Sequence, residues 1–216
     1  MDNQLTSAEK ETFLLILSEG MRVLRDNKLG FDSDSSIGTL TERKNWCGSP
    51  TCEEYTFHND AVPNSSFTIK TEDDPLDYSE DRVKAQMVPT EFSARFQVDT
   101  NGVSIEEIKK RLDLEDFWID KKGNKYTSPS GGLPLTPAGT ARAYKFRAKA
   151  TLASRYPVDV QVIYYGDPSN LSDGASPFIG SVILTRDYPY LTPEMRRRKR
   201  EEQGVGNRPN NSEQPR

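Results

Sequence analysis

The feature that most limits the fold is an alternation of apolar and polar side chains at every second position, repeated in four segments of the chain. Phe92, Ala94, Phe96 and Val98 form the first segment, and Tyr144, Phe146, Ala148, Ala150 and Leu152 the second. Val158, Val160, Val162 and Tyr164 form the third, and the run from Phe178 to Thr185 the fourth. A period of two puts alternate side chains on opposite faces of a strand. The last three segments follow one another with no helical pattern between them, which favours antiparallel pairing. The expected fold class is α+β, with a β-rich, mainly antiparallel, sandwich-like core. An N-terminal amphipathic helix, a short inserted helix and disordered arms complete it.

Two capping boxes mark the helices. Thr6-Ser7-Ala8-Glu9 opens a segment in which Phe13, Leu14, Leu17, Met21 and Leu24 recur at spacings of three and four. Gly30 is its expected stop, and Gly20 weakens it by up to about 1 kcal/mol relative to alanine. Its apolar stripe is expected to pack on its own domain; docking on a partner or a second copy is the alternative. Ser104-Ile105-Glu106-Glu107 opens the second helix, with Ile105, Ile108 and Leu112 on one face. Phe117-Trp118-Ile119 and Lys125-Tyr126-Thr127 flank Lys121-Lys122-Gly123-Asn124, a hairpin signature.

Composition sets how much of the chain can join such a core. Apolar residues make up 34% of the 216, and Leu, Ile, Val and Phe together number only 45. That lies just above the level at which disorder becomes the default, so one domain with long unstructured segments fits better than two compact ones. Charge is uneven: residues 31–90 carry 12 acidic and 5 basic side chains, whereas residues 192–216 carry 4 and 7. The expected organisation is a helix over 1–30 and an acidic, largely irregular arm over 31–90, with Tyr55-Thr56-Phe57 and Phe67-Thr68-Ile69 as candidate short strands within it. A β-rich core over 91–191 and a basic, mostly disordered tail over 192–216 follow. No apolar run reaches transmembrane length, and no basic region followed by an apolar core opens the chain. An intracellular location, cytoplasmic or nuclear, or a place in a virion, is expected.

Soft ligands are scarce. Cys47 and Cys52, with His58 six residues on, form the one candidate metal cluster, but a structural zinc site needs four ligands and a second Cys/His pair is missing. Reduced thiols are the expected state inside a cell; a local disulfide and metal ligation are the alternatives. Any Ser–His or Cys–His pair must use His58, the sole histidine, and no phosphate-binding glycine loop is present. The expectation is a protein that is not an enzyme, with no cofactor and no small-molecule substrate.

Basic residues carry more information. Arg196, Arg197, Arg198, Lys199 and Arg200 are consecutive, between an N-cap pair at Thr192-Pro193 and a stop at Gly204. Such a run suits a nuclear import signal, nucleic-acid phosphates or an anionic membrane surface; a solvated tail is the plain alternative. Lys145, Arg147 and Lys149 alternate with the apolar side of one strand and are expected on one face. Tyr144 and Phe146 fall on the other, so phosphate contact without base stacking is the expected mode. Tyr188-Pro189-Tyr190-Leu191 resembles the Tyr-Pro-x-Leu late-budding motif of some enveloped-virus matrix and Gag proteins. The resemblance covers four residues and implies recruitment of membrane-scission machinery through Tyr188, Pro189 and Leu191.

Two functional classes follow. The first is a non-catalytic assembly protein, of viral coat or matrix type. It would form homo-oligomers and contact RNA or DNA phosphates, or an anionic membrane, through Lys145, Arg147, Lys149 and residues 196–200. The second is a nucleic-acid-binding accessory protein or regulatory adaptor, including viral movement or silencing-suppressor types.

Overall fold

A computed structural model describes residues 3–26, 36–48, 52–78, 84–128, 132–135, 141–151, 154, 156–166, 178–188 and 191–206. In chain order the elements are β1 (Asn3–Gln4), α1 (Ser7–Asp26), β2 (Thr39–Asn45), β3 (Glu53–His58), β4 (Ser65–Asp73) and β5 (Met87–Asn101). Next come α2 (Ile105–Leu112), β6 (Leu114–Glu115), β7 (Trp118–Ile119), β8 (Lys125–Tyr126) and β9 (Leu133–Pro134). The last are β10 (Ala141–Ala148), β11 (Val158–Tyr165), β12 (Phe178–Arg186) and α3 (Pro193–Gly206). Ten strands form one sheet in the order β2-β3-β4-β5-β12-β11-β10-β6, with β1 beside β5 and β9 beside β10. Every pairing is antiparallel except β1 with β5. The α+β, β-rich, mainly antiparallel architecture is thus present.

Helix α1 closes the core. The Thr6 backbone N–H donates to the Glu9 carboxylate at 2.6 Å, and the Glu9 N–H donates to Thr6 Oγ1 at 3.3 Å, so the first capping box forms as spaced. Phe13, Leu14, Leu17, Met21 and Leu24 are buried, as are Ile16 and Val23. Phe13 lies 5.0 Å from Phe96 and 6.4 Å from Phe67, ring centre to ring centre, so the stripe is used on the chain's own sheet. At the far end the buried Arg186 donates from Nε to the Leu24 carbonyl at 2.5 Å, answering the partial negative charge of the helix C-terminus. Ser104 and Glu107 complete the second capping box on α2.

Three expectations need correction. The arm over 31–90 is not largely irregular: β2, β3 and β4 lie within it and continue the sheet into β5 without a break at residue 90. Tyr55, Phe57, Phe67 and Ile69 alternate inward there and are buried, while the residues between them are polar because their face is open to water. The tail is not mostly disordered where it is described: the short helix expected between Thr192-Pro193 and Gly204 is present as α3, Pro193–Gly206, and residues 207–216 lie outside the described residues. The long strand ends at Ala148, leaving Ala150 exposed; Leu152 and Gly30 also lie outside the described residues.

Candidate nucleic-acid interface

The face of the sheet away from α1 carries a row of charges running from strand to strand. Lys44 stands opposite Glu54, Glu54 opposite Lys70, and Lys70 opposite Glu91. Glu91 then faces Thr185, Thr185 faces Asp159, Asp159 faces Arg147, and Arg147 faces Glu115. Ion pairs close the row at 2.8 Å for Lys44–Glu54, 3.0 Å for Lys70–Glu91 and 2.8 Å for Arg147–Asp159. Opposite charges directly across strands stabilise a sheet by some tenths of a kcal/mol each.

This row decides the fate of the basic strand. The Arg147 guanidinium donates twice to Asp159, at 2.8 and 2.9 Å, and once to Asp187 at 2.5 Å, and its side chain is only 12% exposed. The hydrogen bonds it donates to Asp159, with Asp187 behind them, hold Arg147 above even its usual pKa. Lys149 sits just past the strand end, with Nζ 2.7 Å from Asp113. Two of the three expected phosphate contacts are therefore neutralised by the chain's own carboxylates. Lys145 is not; its Nζ lies 4.6 Å from the centre of the Trp118 indole.

Trp118 belongs to the β7–β8 hairpin, which forms where its sequence signature lies, with Trp118 opposite Tyr126 and Ile119 opposite Lys125. The Asp120 carboxylate accepts from the backbone N–H groups of Lys122 (2.8 Å) and Asn124 (2.9 Å). Those bonds, with the Asn124 side chain leading, hold the Asp120 carboxyl below its ordinary pKa. Gly123 makes the turn at φ 86°, a value that glycine reaches without strain. Trp118 and Tyr126 stack with ring centres 5.0 Å apart, and Lys125 Nζ lies 3.6 Å from the centre of Phe117. Between the hairpin and the sheet is a cleft of about 300 Å³, lined by Trp118, Ile119, Lys121, Lys145, Gln161 and Thr185 among others.

The cations thus sort into two groups. Arg147 and Lys149 are ion-paired, whereas Lys121, Lys122, Lys125 and Lys145 have no carboxylate partner among the described residues. The unpaired group surrounds aromatic rings, one of which, Tyr126, is 44% exposed. Sequence reasoning separated cations from rings because Tyr144 and Phe146 point into the core, and both are indeed buried. It did not bring in the rings of Phe117, Trp118 and Tyr126 from an earlier hairpin. The signal was present as Lys121, Lys122 and Lys125 interleaved with aromatic residues on a recognisable turn.

The other expected sites are placed as follows. Arg196, Arg197, Arg198, Lys199 and Arg200 lie on α3, whose Met195 N–H donates to the capping Thr192 Oγ1 at 3.2 Å. Arg197 reaches Glu201 at 3.8 Å, Arg198 reaches Glu202 at 3.3 Å and Lys199 reaches Glu202 at 3.3 Å, so the exposed cations have acidic neighbours one turn on. Arg196 is half-buried, with Nε donating to the Leu191 carbonyl at 3.3 Å, and Arg200 is half-buried too. In the late-motif tetrapeptide, the Tyr188 hydroxyl donates to Glu72 at 3.3 Å, its ring meets Tyr156 edge-on, and Leu191 is buried. Those two side chains anchor the approach to α3, and Pro189 lies outside the described residues. Cys47 and Cys52 are joined in a disulfide that closes the β2–β3 turn, where the Trp46 N–H donates to the Cys52 carbonyl at 3.2 Å. Neither sulfur is a free thiolate ligand, which corrects both the reduced-thiol and the metal expectation. His58 lies at the opposite end of the extended β3, with Nε2 3.1 Å from Asp60. Among the described residues, no cluster of three or more His, Cys, Asp or Glu side chains is arranged to hold a metal.

The chain matches no family model, no curated protein and no solved structure. Its function has to be read from the site. Among the described residues, no helix is long and apolar enough to cross a membrane.

Proposed function

We propose that this is a non-catalytic nucleic-acid-binding protein of accessory type, which grips the phosphate backbone with Lys121, Lys122, Lys125 and Lys145. The observation that carries this reading is the sorting of cations. Acids of the same chain neutralise Arg147 and Lys149, while the four lysines around the β7–β8 hairpin, beside Trp118 and Tyr126, have no carboxylate partner among the described residues. Unpaired lysines interleaved with rings are the surface that single-stranded nucleic acid uses.

A self-assembling coat or matrix role is the second reading, and one observation favours it. Strand β2 ends the sheet, all seven of its residues are exposed, and its outer edge has no strand partner among the described residues. Yet Glu42, Arg43 and Lys44, with the irregularity between Leu40 and Glu42, are the devices that keep edge strands from pairing. Binding is therefore placed ahead of assembly.

Anisotropy of a labelled single strand, at low and moderate salt, tests the proposal. Changing the four lysines to glutamine is expected to abolish most binding and to flatten the salt slope by about 0.7 per lost contact. Unchanged affinity in that variant would overturn the reading.

A further inference from the structure

The cleft beneath the hairpin has more structure than phosphate contact requires. Its volume of about 300 Å³ lies at the small end of ligand pockets, enough for one planar heterocycle. Trp118 and Ile119 line it from the hairpin, and Ile183 from β12. Two uncharged polar groups in its lining have no hydrogen-bond partner among the described residues. The Trp118 indole N–H is buried without an acceptor, and the Gln161 amide makes no hydrogen bond among the described residues. Gln161 stands between Lys145 and Ile183 on adjacent strands, in the row beside the charge ladder. Buried donors without acceptors are uncommon in a finished fold, and a native example calls for an explanation. A nucleobase would supply one, because its edge carries an acceptor for the indole, and both a donor and an acceptor for an amide.

We infer that this cleft receives one unstacked nucleobase, so that the protein selects single-stranded over double-stranded nucleic acid. The inference rests on the phosphate reading above and deepens it. Phosphates on either side of the base would meet Lys121, Lys122, Lys125 and Lys145, while Gln161 and Trp118 address the base itself. In a duplex the base is paired and stacked, and reaching the cleft would require extruding it.

The test uses the full chain carrying Trp46→Phe. The chain has two tryptophans, so Trp118 becomes the sole indole reporter. Three probes are titrated: an oligothymidylate of about fifteen nucleotides, a duplex of the same length, and inorganic polyphosphate of matched charge. The oligothymidylate is expected to bind at least about tenfold more tightly than the other two, and it alone should quench Trp118. Gln161→Leu removes an amide that makes no hydrogen bond among the described residues. It should weaken oligothymidylate binding about threefold to tenfold and leave polyphosphate binding unchanged. Equal binding of all three probes without quenching would overturn the base inference and leave the phosphate reading standing. Failure of all three to bind would overturn the phosphate reading first, and the base inference with it.

Discussion

Arg147 shows how an alternating pattern can point to a cation whose charge is already taken. Spacing correctly assigns it to the polar side of β10, but its partners Asp159 and Asp187 lie 12 and 40 residues further along. No local pattern could pair them before the strand order was known. Replacing Arg147 with alanine should lower stability by about 2 kcal/mol in urea unfolding, because three charge-assisted hydrogen bonds are lost from a largely covered site. Binding of a single strand should change little in the same variant. Glu72 makes the opposite case. Burial, opposed by the Tyr188 hydroxyl and aided by Asp73 and Glu91, raises its carboxyl above the ordinary value. A raised folded-state value means that its contribution is fully present below the ordinary carboxylate range and is lost as pH rises through the folded value. Glu72→Gln should therefore stabilise the protein more at pH 7 than at pH 4, relative to the unsubstituted chain, in urea titrations at both values.

At the level of elements, both capping boxes, the hairpin and the later strands were readable because each is coded by neighbours in sequence. Strands β3 and β4 were readable only as the short runs Tyr55-Thr56-Phe57 and Phe67-Thr68-Ile69, and β2 not at all. Their inward residues are few and sit among Asp- and Ser-rich connections, so average composition hid that these runs extend and join one sheet. The disulfide was legible only as one alternative, since spacing alone does not say whether two sulfurs meet. Gly20 is the clearest reversal. Sequence treats it as a weak point in α1, yet a Cβ there would lie 2.5 Å from the Phe92 ring, where the helix crosses β5. Gly20→Ala gains up to about 1 kcal/mol of helix propensity but forces overpacking that costs about 1–3 kcal/mol. The variant should melt below the parent, as followed by circular dichroism; a higher melting temperature would mean that Phe92 moves aside at little cost.

For the whole molecule, the expected contrast between an acidic arm and a basic tail dissolves into local pairings. Glu53 and Glu54 pair with Arg43 and Lys44 of the same segment, Lys70 pairs with Glu91, Arg147 pairs with Asp159, and the cations of α3 face Glu201 and Glu202. The α+β class was legible because alternation survives averaging over a strand. The proposed binding site was not, because it joins a hairpin to strands that follow it in sequence. Changing Arg197, Arg198 and Lys199 together to glutamine should reduce single-strand affinity far less than changing Lys121, Lys122, Lys125 and Lys145, in the same salt titration. A larger loss from the α3 variant would move the interface to the tail. The row from Lys44 to Glu115 has one more consequence. Sliding a strand by two residues keeps every apolar side chain facing inward, so burial alone cannot detect the error. Such a slide would set Arg147 against Gln161 or Pro157, and Lys70 against Ser93 or Pro89, parting the ions at each joint. Apolar residues tell this sheet which side is in; its charges tell each strand where to stop.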